Sequence, residues 1–150
     1  AADVWPPPGF GPIPFGTEAG SCLVLVLLAL PAAFASYAGA RRGGGFLATA
    51  GLLLSAGLAA LLLYAEYLLF QSLPFTVRSD AYGAVVAALG TWHAFHVAMG
   101  LVAALFALLR MVRRGMSAER ALALRVSALM NAYIAVQGLL VFGVIYLSTA

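Results

Sequence analysis

Residues 82–114 read YGAVVAALGTWHAFHVAMGLVAALFALLRMVRR, an apolar run long enough to cross the hydrocarbon core of a bilayer as a single helix. Both histidines of the protein, His93 and His96, fall near its middle. Ionisable side chains are costly at that depth, so they must face other helices, supplied by this chain or by a partner. The stretch therefore predicts a helical membrane bundle and sets what the rest of the chain has to provide.

Composition points the same way. Of 150 residues, 64% are hydrophobic and 9% charged, and the mean hydropathy is +1.03, too apolar for a soluble domain of this length. The formal charge of +3 comes from eight arginines, with no lysine, against five acids. Most of the arginines sit beside apolar runs, where membrane topology accounts for them better than nucleic-acid binding does. Cys22 is the only cysteine, which leaves no internal disulfide and suits a small packing residue in an apolar segment.

Upstream of the histidine stretch, QSLPFTVRSD (71–80) reads as a loop, and before it an apolar helix spans about 46–69. Arg41, Arg42 and glycines 43–45 form a basic turn to an earlier helix, about 17–40, with Thr17 as its predicted N-cap, Glu18 in its first turn and a bend expected at Pro31. Residues 1–16, AADVWPPPGFGPIPFG, hold most of the prolines and predict an extended surface segment, without the basic and apolar pattern of an intact signal peptide. Downstream, RRGMSAER (113–120) leads into a last helix at about 122–147. The predicted fold is all-α and integral to the membrane. It is an antiparallel bundle of four transmembrane helices (about 17–40, 46–69, 81–111 and 122–147) forming one domain over 17–150.

Seven of the eight arginines fall in the two loops that share one face, so that face is predicted cytoplasmic and both termini non-cytoplasmic. Small residues mark candidate close approaches: Gly51, Ser55 and Gly57, then Gly83, Ala87, Gly90 and Gly100, then Gly138 and Gly143.

His93 and His96 are three residues apart, so they project from neighbouring positions of one helical face, which invites a metal or haem site. A bis-histidine haem needs one ligand on each side of the ring, and no further histidine exists for a zinc site. Methionines 99, 111, 116 and 130 read as core fillers before axial ligands. A packing role with satisfied hydrogen bonds is thus preferred over a proton relay, and both over ligation. At 1.5 Å per residue the two histidines lie about 18 to 23 Å from the outer end of their helix. Asn131 and Gln137 lie at comparable depth on the next one, so His93, His96, Asn131 and Gln137 predict a polar network between the third and fourth helices. Glu66, beside Tyr67 near the outer end of the second helix, reads as a boundary carboxylate. No nucleophile–base pair, no CxxC and no phosphate-cradling glycine loop occurs.

The order AEY (65–67), PFT (74–76), Asp80, Tyr82-Gly83, Trp92-His93-Ala94-Phe95-His96-Val97, Gly100 and Arg110 resembles the C-terminal part of subunit III of haem-copper oxidases, the cytochrome c and quinol oxidases. In that family an EY ends one helix, a PFT-type loop follows, and the next helix reads YGS, then TGFHGLHV, then a glycine and a basic end. WPPPG (5–9) also resembles the WPP-G loop before the fourth of the family's seven helices, so the resemblance implies the last four. Tyr146 falls at the family's tyrosine near the end. There are departures too. Gly90-Thr91-Trp92 replaces TGF, YGA replaces YGS, and Met130 to Ala135 stand where the family usually has a YWHFVD-like motif.

The resemblance implies a subunit without a catalytic centre, cofactor or metal of its own, in the inner membrane of a bacterial-type cell. It would pack on the catalytic subunit I, beside subunit II, bind phospholipid and help sustain turnover and proton uptake, while haem and copper stay in the partner. Two other classes remain open on the residues alone: a haem-binding membrane anchor of a dehydrogenase, using His93 or His96 with a ligand from another chain, and a small membrane transporter lined by His, Asn and Gln.

Overall fold

The structure is a computed structural model that describes residues 16–42, 45–73, 78, 81–114 and 117–147. It consists of four helices: α1 (Thr17–Arg41), α2 (Gly45–Ser72), α3 (Ala81–Arg114) and α4 (Ala118–Phe142), the last running on into a π-helical turn, Gly143–Leu147. At about 1.5 Å per residue each is longer than the roughly 30 Å hydrocarbon core, and all four are long and apolar enough to span a membrane. No strand occurs among the described residues.

Boundaries differ from the sequence reading mainly at the arginine-rich loops. There α3 continues to Arg114 and α4 begins at Ala118 rather than 122, because Arg, Ala and Glu are good helix formers. The N-terminal cap also differs. Gly16 holds that position with an extended backbone (φ −88°, ψ −170°) and no side chain to offer, while Thr17 opens the helix and its carbonyl accepts from Ser21 Oγ at 2.8 Å. Glu18 lies in the first turn as predicted, beside the positive end of the helix dipole. Pro31 sits inside an unbroken α1. Residues 1–15 of the predicted surface segment lie outside the described residues.

Helices α1 and α3 each pack against both α2 and α4, closing a four-membered ring. Cross-helix ties fix the direction of each neighbour. Ser36 Oγ donates to Ala48 O (3.1 Å), Arg125 Nη2 to Ala40 O (3.5 Å), Thr49 Oγ1 to Met111 Sδ (3.5 Å) and Ser127 Oγ to Ala103 O (3.2 Å). All of them join the end of one helix to the start of another, so successive helices are antiparallel. As a result Arg41, Arg42, Arg110, Arg113 and Arg125 gather at one end of the bundle, and Arg78 lies beyond the other. Arg110 lies over the Phe106 ring, 5.7 Å from its centroid, covering apolar surface while its charge reaches the boundary.

The core is built from small residues. Near the arginine-rich end it contains Ala40, Ala48, Ala56, Ala104 and Ala107 around Leu52 and Leu124. Further along it contains Cys22, Val26, Leu62, Val97, Ile134 and Ala135. A Cβ added at Gly51 would stand 2.6 Å from Ser36 N and 3.1 Å from Ala32 O, so α1 and α2 touch backbone to backbone there. Lipid tails are as apolar as leucine, so helices gain by packing closely, and small residues permit it. Gly57, which the sequence groups with Gly51, meets nothing within 4 Å and faces outward. Large apolar side chains such as Phe34, Leu54, Phe95 and Phe106 point away from the bundle, the reverse of a soluble protein and the arrangement a hydrocarbon solvent favours.

Candidate functional site

Two ionisable side chains meet in the interior. His93, in the middle of α3, is 2% exposed, and Glu66, in the last third of α2, is 6% exposed. His93 Nδ1 lies 2.5 Å from Glu66 Oε1, and its Nε2 lies 3.2 Å from the carbonyl oxygen of Ile134 on α4. One imidazole therefore links three helices.

The hydrogen-bond inventory fixes the proton count. A carbonyl oxygen only accepts, so His93 Nε2 must carry a hydrogen. A second hydrogen lies between Nδ1 and Oε1, on either atom. Imidazolium with carboxylate and imidazole with carboxylic acid are both neutral overall, which is what permits the pair at this depth. Glu66 Oε2 serves as an acceptor in either arrangement, and among the described residues no donor reaches it.

Glycine makes the contact with α4 possible. A Cβ at Gly138, one turn beyond Ile134, would stand 2.8 Å from His93 Nε2 and 3.0 Å from Val26 of α1. With hydrogen there instead, the ring reaches the α4 backbone.

The remaining polar residues named from the sequence fall into separate places. Asn131 Nδ2 donates to Ser55 Oγ on α2 at 2.8 Å, and a Cβ at Gly100 would stand 2.9 Å from its Oδ1, so this amide too relies on a glycine opposite. His96 is half-buried, and its Nδ1 donates to Trp92 O one turn back at 2.8 Å. Its ring meets Trp92, Phe95 and Tyr133 edge-on, at 4.7, 5.8 and 6.0 Å between centroids. Gln137 is buried, with no donor to its Oε1 among the described residues. The four residues thus form no single network between α3 and α4. The side-chain partners of His93 and Asn131 are both on α2, Glu66 and Ser55, while the second nitrogen of His93 reaches the Ile134 backbone on α4.

Glu66 differs most from its reading as a boundary carboxylate, and the signal that places it was present. Gly51, Ser55, Leu58, Leu62 and Glu66 are spaced by four, three, four and four residues and all are buried. Glu66 continues the inward stripe begun by Gly51 and Ser55.

The other positions of the family resemblance are also placed. Tyr82 is buried beside Val86 in a cluster with Leu73, Ile145 and Tyr146. Gly83 and Gly100 are buried, and Arg110 is half-buried. Tyr146 stacks on Phe142 at 5.5 Å, within the π turn and the residue before it.

Both nitrogens of His93 are engaged, and among the described residues no three of His, Cys, Asp or Glu come together. Cys22 is free and buried. Of the methionines, Met111 accepts from Thr49, Met130 packs in the core and Met99 faces outward, while Met116 lies outside the described residues.

A search of curated proteins returns no match to the chain. A family model described as cytochrome c oxidase subunit III matches residues 2–150. Four helices able to span a membrane and this match across nearly the whole sequence make the chain a multi-pass membrane protein that belongs to the cytochrome c oxidase subunit III family.

Proposed function

We propose that the chain is a non-catalytic component of a respiratory haem-copper terminal oxidase. It packs against the catalytic subunit I in a complex that also holds subunit II, binds phospholipid, and supports stability and proton uptake during oxygen reduction. The family match over residues 2–150 carries this reading. Haem and copper belong to the partner, since His93, the buried histidine of this chain, spends both ring nitrogens inside its own bundle. For the same reason His93 offers the haem-anchor alternative no free nitrogen.

The bundle suits a scaffold. His93 pins α2, α3 and α4 together, and a broad outward face of α3 with Trp92, Phe95, Val102 and Phe106 offers apolar surface to lipid or to a neighbouring subunit. The arginine-rich end lies at the cytoplasmic side of a bacterial-type inner membrane, with both termini opposite, in keeping with the retention of positively charged loops.

Affinity purification of the tagged chain from native membranes in mild detergent tests the proposal. A larger polytopic subunit carrying haem and copper is expected to co-purify in fixed stoichiometry, while the separated chain shows no haem Soret band. Recovery of a homogeneous monomer, or of haem retained by the isolated chain, overturns it.

A further inference from the structure

Glu66, whose Oε2 has no hydrogen-bond partner among the described residues, lines a cavity of about 40 Å³ together with Leu69, Phe70, Leu73, Val86, Phe142 and Tyr146 among others. Its lining follows helical spacing: 66, 69, 70 and 73 on the α2 side; 93, 90 and 86 on α3; 141, 142, 145 and 146 on α4 and its π turn. The cavity is therefore a shaft. It starts at the Glu66–His93 pair and runs about 10 Å, seven residues at 1.5 Å each, to the bundle end remote from the arginine cluster. It has space for about two or three water molecules, since one needs roughly 10–15 Å³ measured this way.

An apolar cavity of this size would stay dry on its own, but this one is lined at its inner end by Glu66, whose Oε2 is an acceptor in every proton arrangement of the pair and has no donor among the described residues. What satisfies it must be small, must donate a hydrogen bond, and must enter from the open end. We infer that the shaft holds a short file of water on Glu66 Oε2, so that the Glu66–His93 pair is a buried proton-binding site in exchange with the membrane surface opposite the arginine cluster. The site is confined to this chain and does not depend on which subunits surround it.

Exchange needs no net charge in the membrane. When the shared hydrogen is on the carboxyl, rotation of the carboxyl group swaps its two oxygens and turns the O–H into the shaft. That hydrogen passes to water as a deuteron or proton from water takes its place, and the group rotates back. One hydrogen leaves and one enters. The other titratable groups around the pair are Cys22 on α1, within electrostatic reach of Glu66, and Tyr82 and Tyr146, which cluster beside the open end.

The test uses the purified oxidase complex. A high-resolution map should show density within hydrogen-bonding distance of Glu66 Oε2 and along the shaft; an empty shaft, or an acyl chain in it, overturns the inference. In infrared difference spectra against Glu66→Gln, the Glu66 carboxyl signal of the parent should shift within minutes of transfer to D₂O. In Val86→Phe, which fills the shaft, exchange should slow about tenfold or more, since a sealed site exchanges only when the helices open. If that variant fails to assemble, Ile145→Trp closes the same shaft from α4. A parent signal that does not shift, or plugged variants that assemble and exchange at the parent rate, sinks the proposal.

Discussion

Two interfaces of the bundle solve the same problem by opposite means. Between α1 and α2 the backbones touch at Gly51 and at Gly39, where an added Cβ would stand 2.5 Å from Ala48 N, and the side-chain tie there is the neutral bond from Ser36 to Ala48. Where α2 meets α3 and α4, bulkier side chains intervene, and the contact is carried by Glu66, His93 and the Ile134 carbonyl, with Asn131 and Ser55 further in. The first interface gains from close approach, which holds in lipid as well as in water. The second depends on satisfying polar groups that lipid cannot, so its parts stand or fall together.

The contrast is broken most severely by removing one member of the Glu66–His93 pair. Glu66→Leu leaves an imidazole without its partner, and His93→Leu leaves a buried carboxyl without one. Each should destabilise the bundle by about 3 to 5 kcal/mol, read as release of the subunit from the complex at lower temperature or milder detergent. The double Leu variant should recover much of the loss, because two apolar groups in place of a buried pair are often neutral. If the double lost the sum of the two singles, the pair would not be coupled.

Close approach is attacked by Gly51→Leu. The added side chain must push α1 away from α2, at a cost of about 1 to 3 kcal/mol, with no gain from any change at Glu66. Gly138→Ala should cost about as much, but by displacing His93 from the Ile134 carbonyl, so its effect should largely vanish when His93 is already Leu. Double-mutant cycles on subunit release separate the two, and additive behaviour of Gly138→Ala with His93→Leu would refute the bridging role of the glycine.

Smaller effects follow. Asn131→Leu removes one hydrogen bond to Ser55 and should cost roughly 0.6 kcal/mol, the mean for such bonds in membrane bundles. His96→Leu should change stability by less than about 0.5 kcal/mol, since its Nδ1 bonds within its own helix and no other helix loses a hydrogen-bond partner. A large loss from His96→Leu with the subunit still bound would show that His96 acts outside this bundle.

How much of this is readable before folding can be judged residue by residue. The four spans, their order and the gathering of arginines follow from runs of apolar residues longer than a bilayer core interrupted by charged turns, and the structure shows them within a few residues. The partners of His93 were not readable in the same way. Counting depth along α3 and α4 brings Asn131 and Gln137 level with the histidines, yet depth fixes one coordinate only, and the rotation of each helix decides which side chains meet. The stripe from Gly51 to Glu66 supplies that rotation for α2, once Gly57 is recognised as lying off it.

The sequence by itself determined the solvent of this protein, the number and direction of its helices, its family motif and the presence of a few polar groups too costly to leave facing lipid, because these depend on local composition and on the length of each apolar run. Only the tertiary structure decided that Glu66 is buried against His93, that a missing Cβ at Gly138 lets the ring reach α4, and that a shaft remains above the carboxyl. Those outcomes depend on helix rotation and on sub-ångström approach between backbones far apart in the chain, which no local pattern encodes.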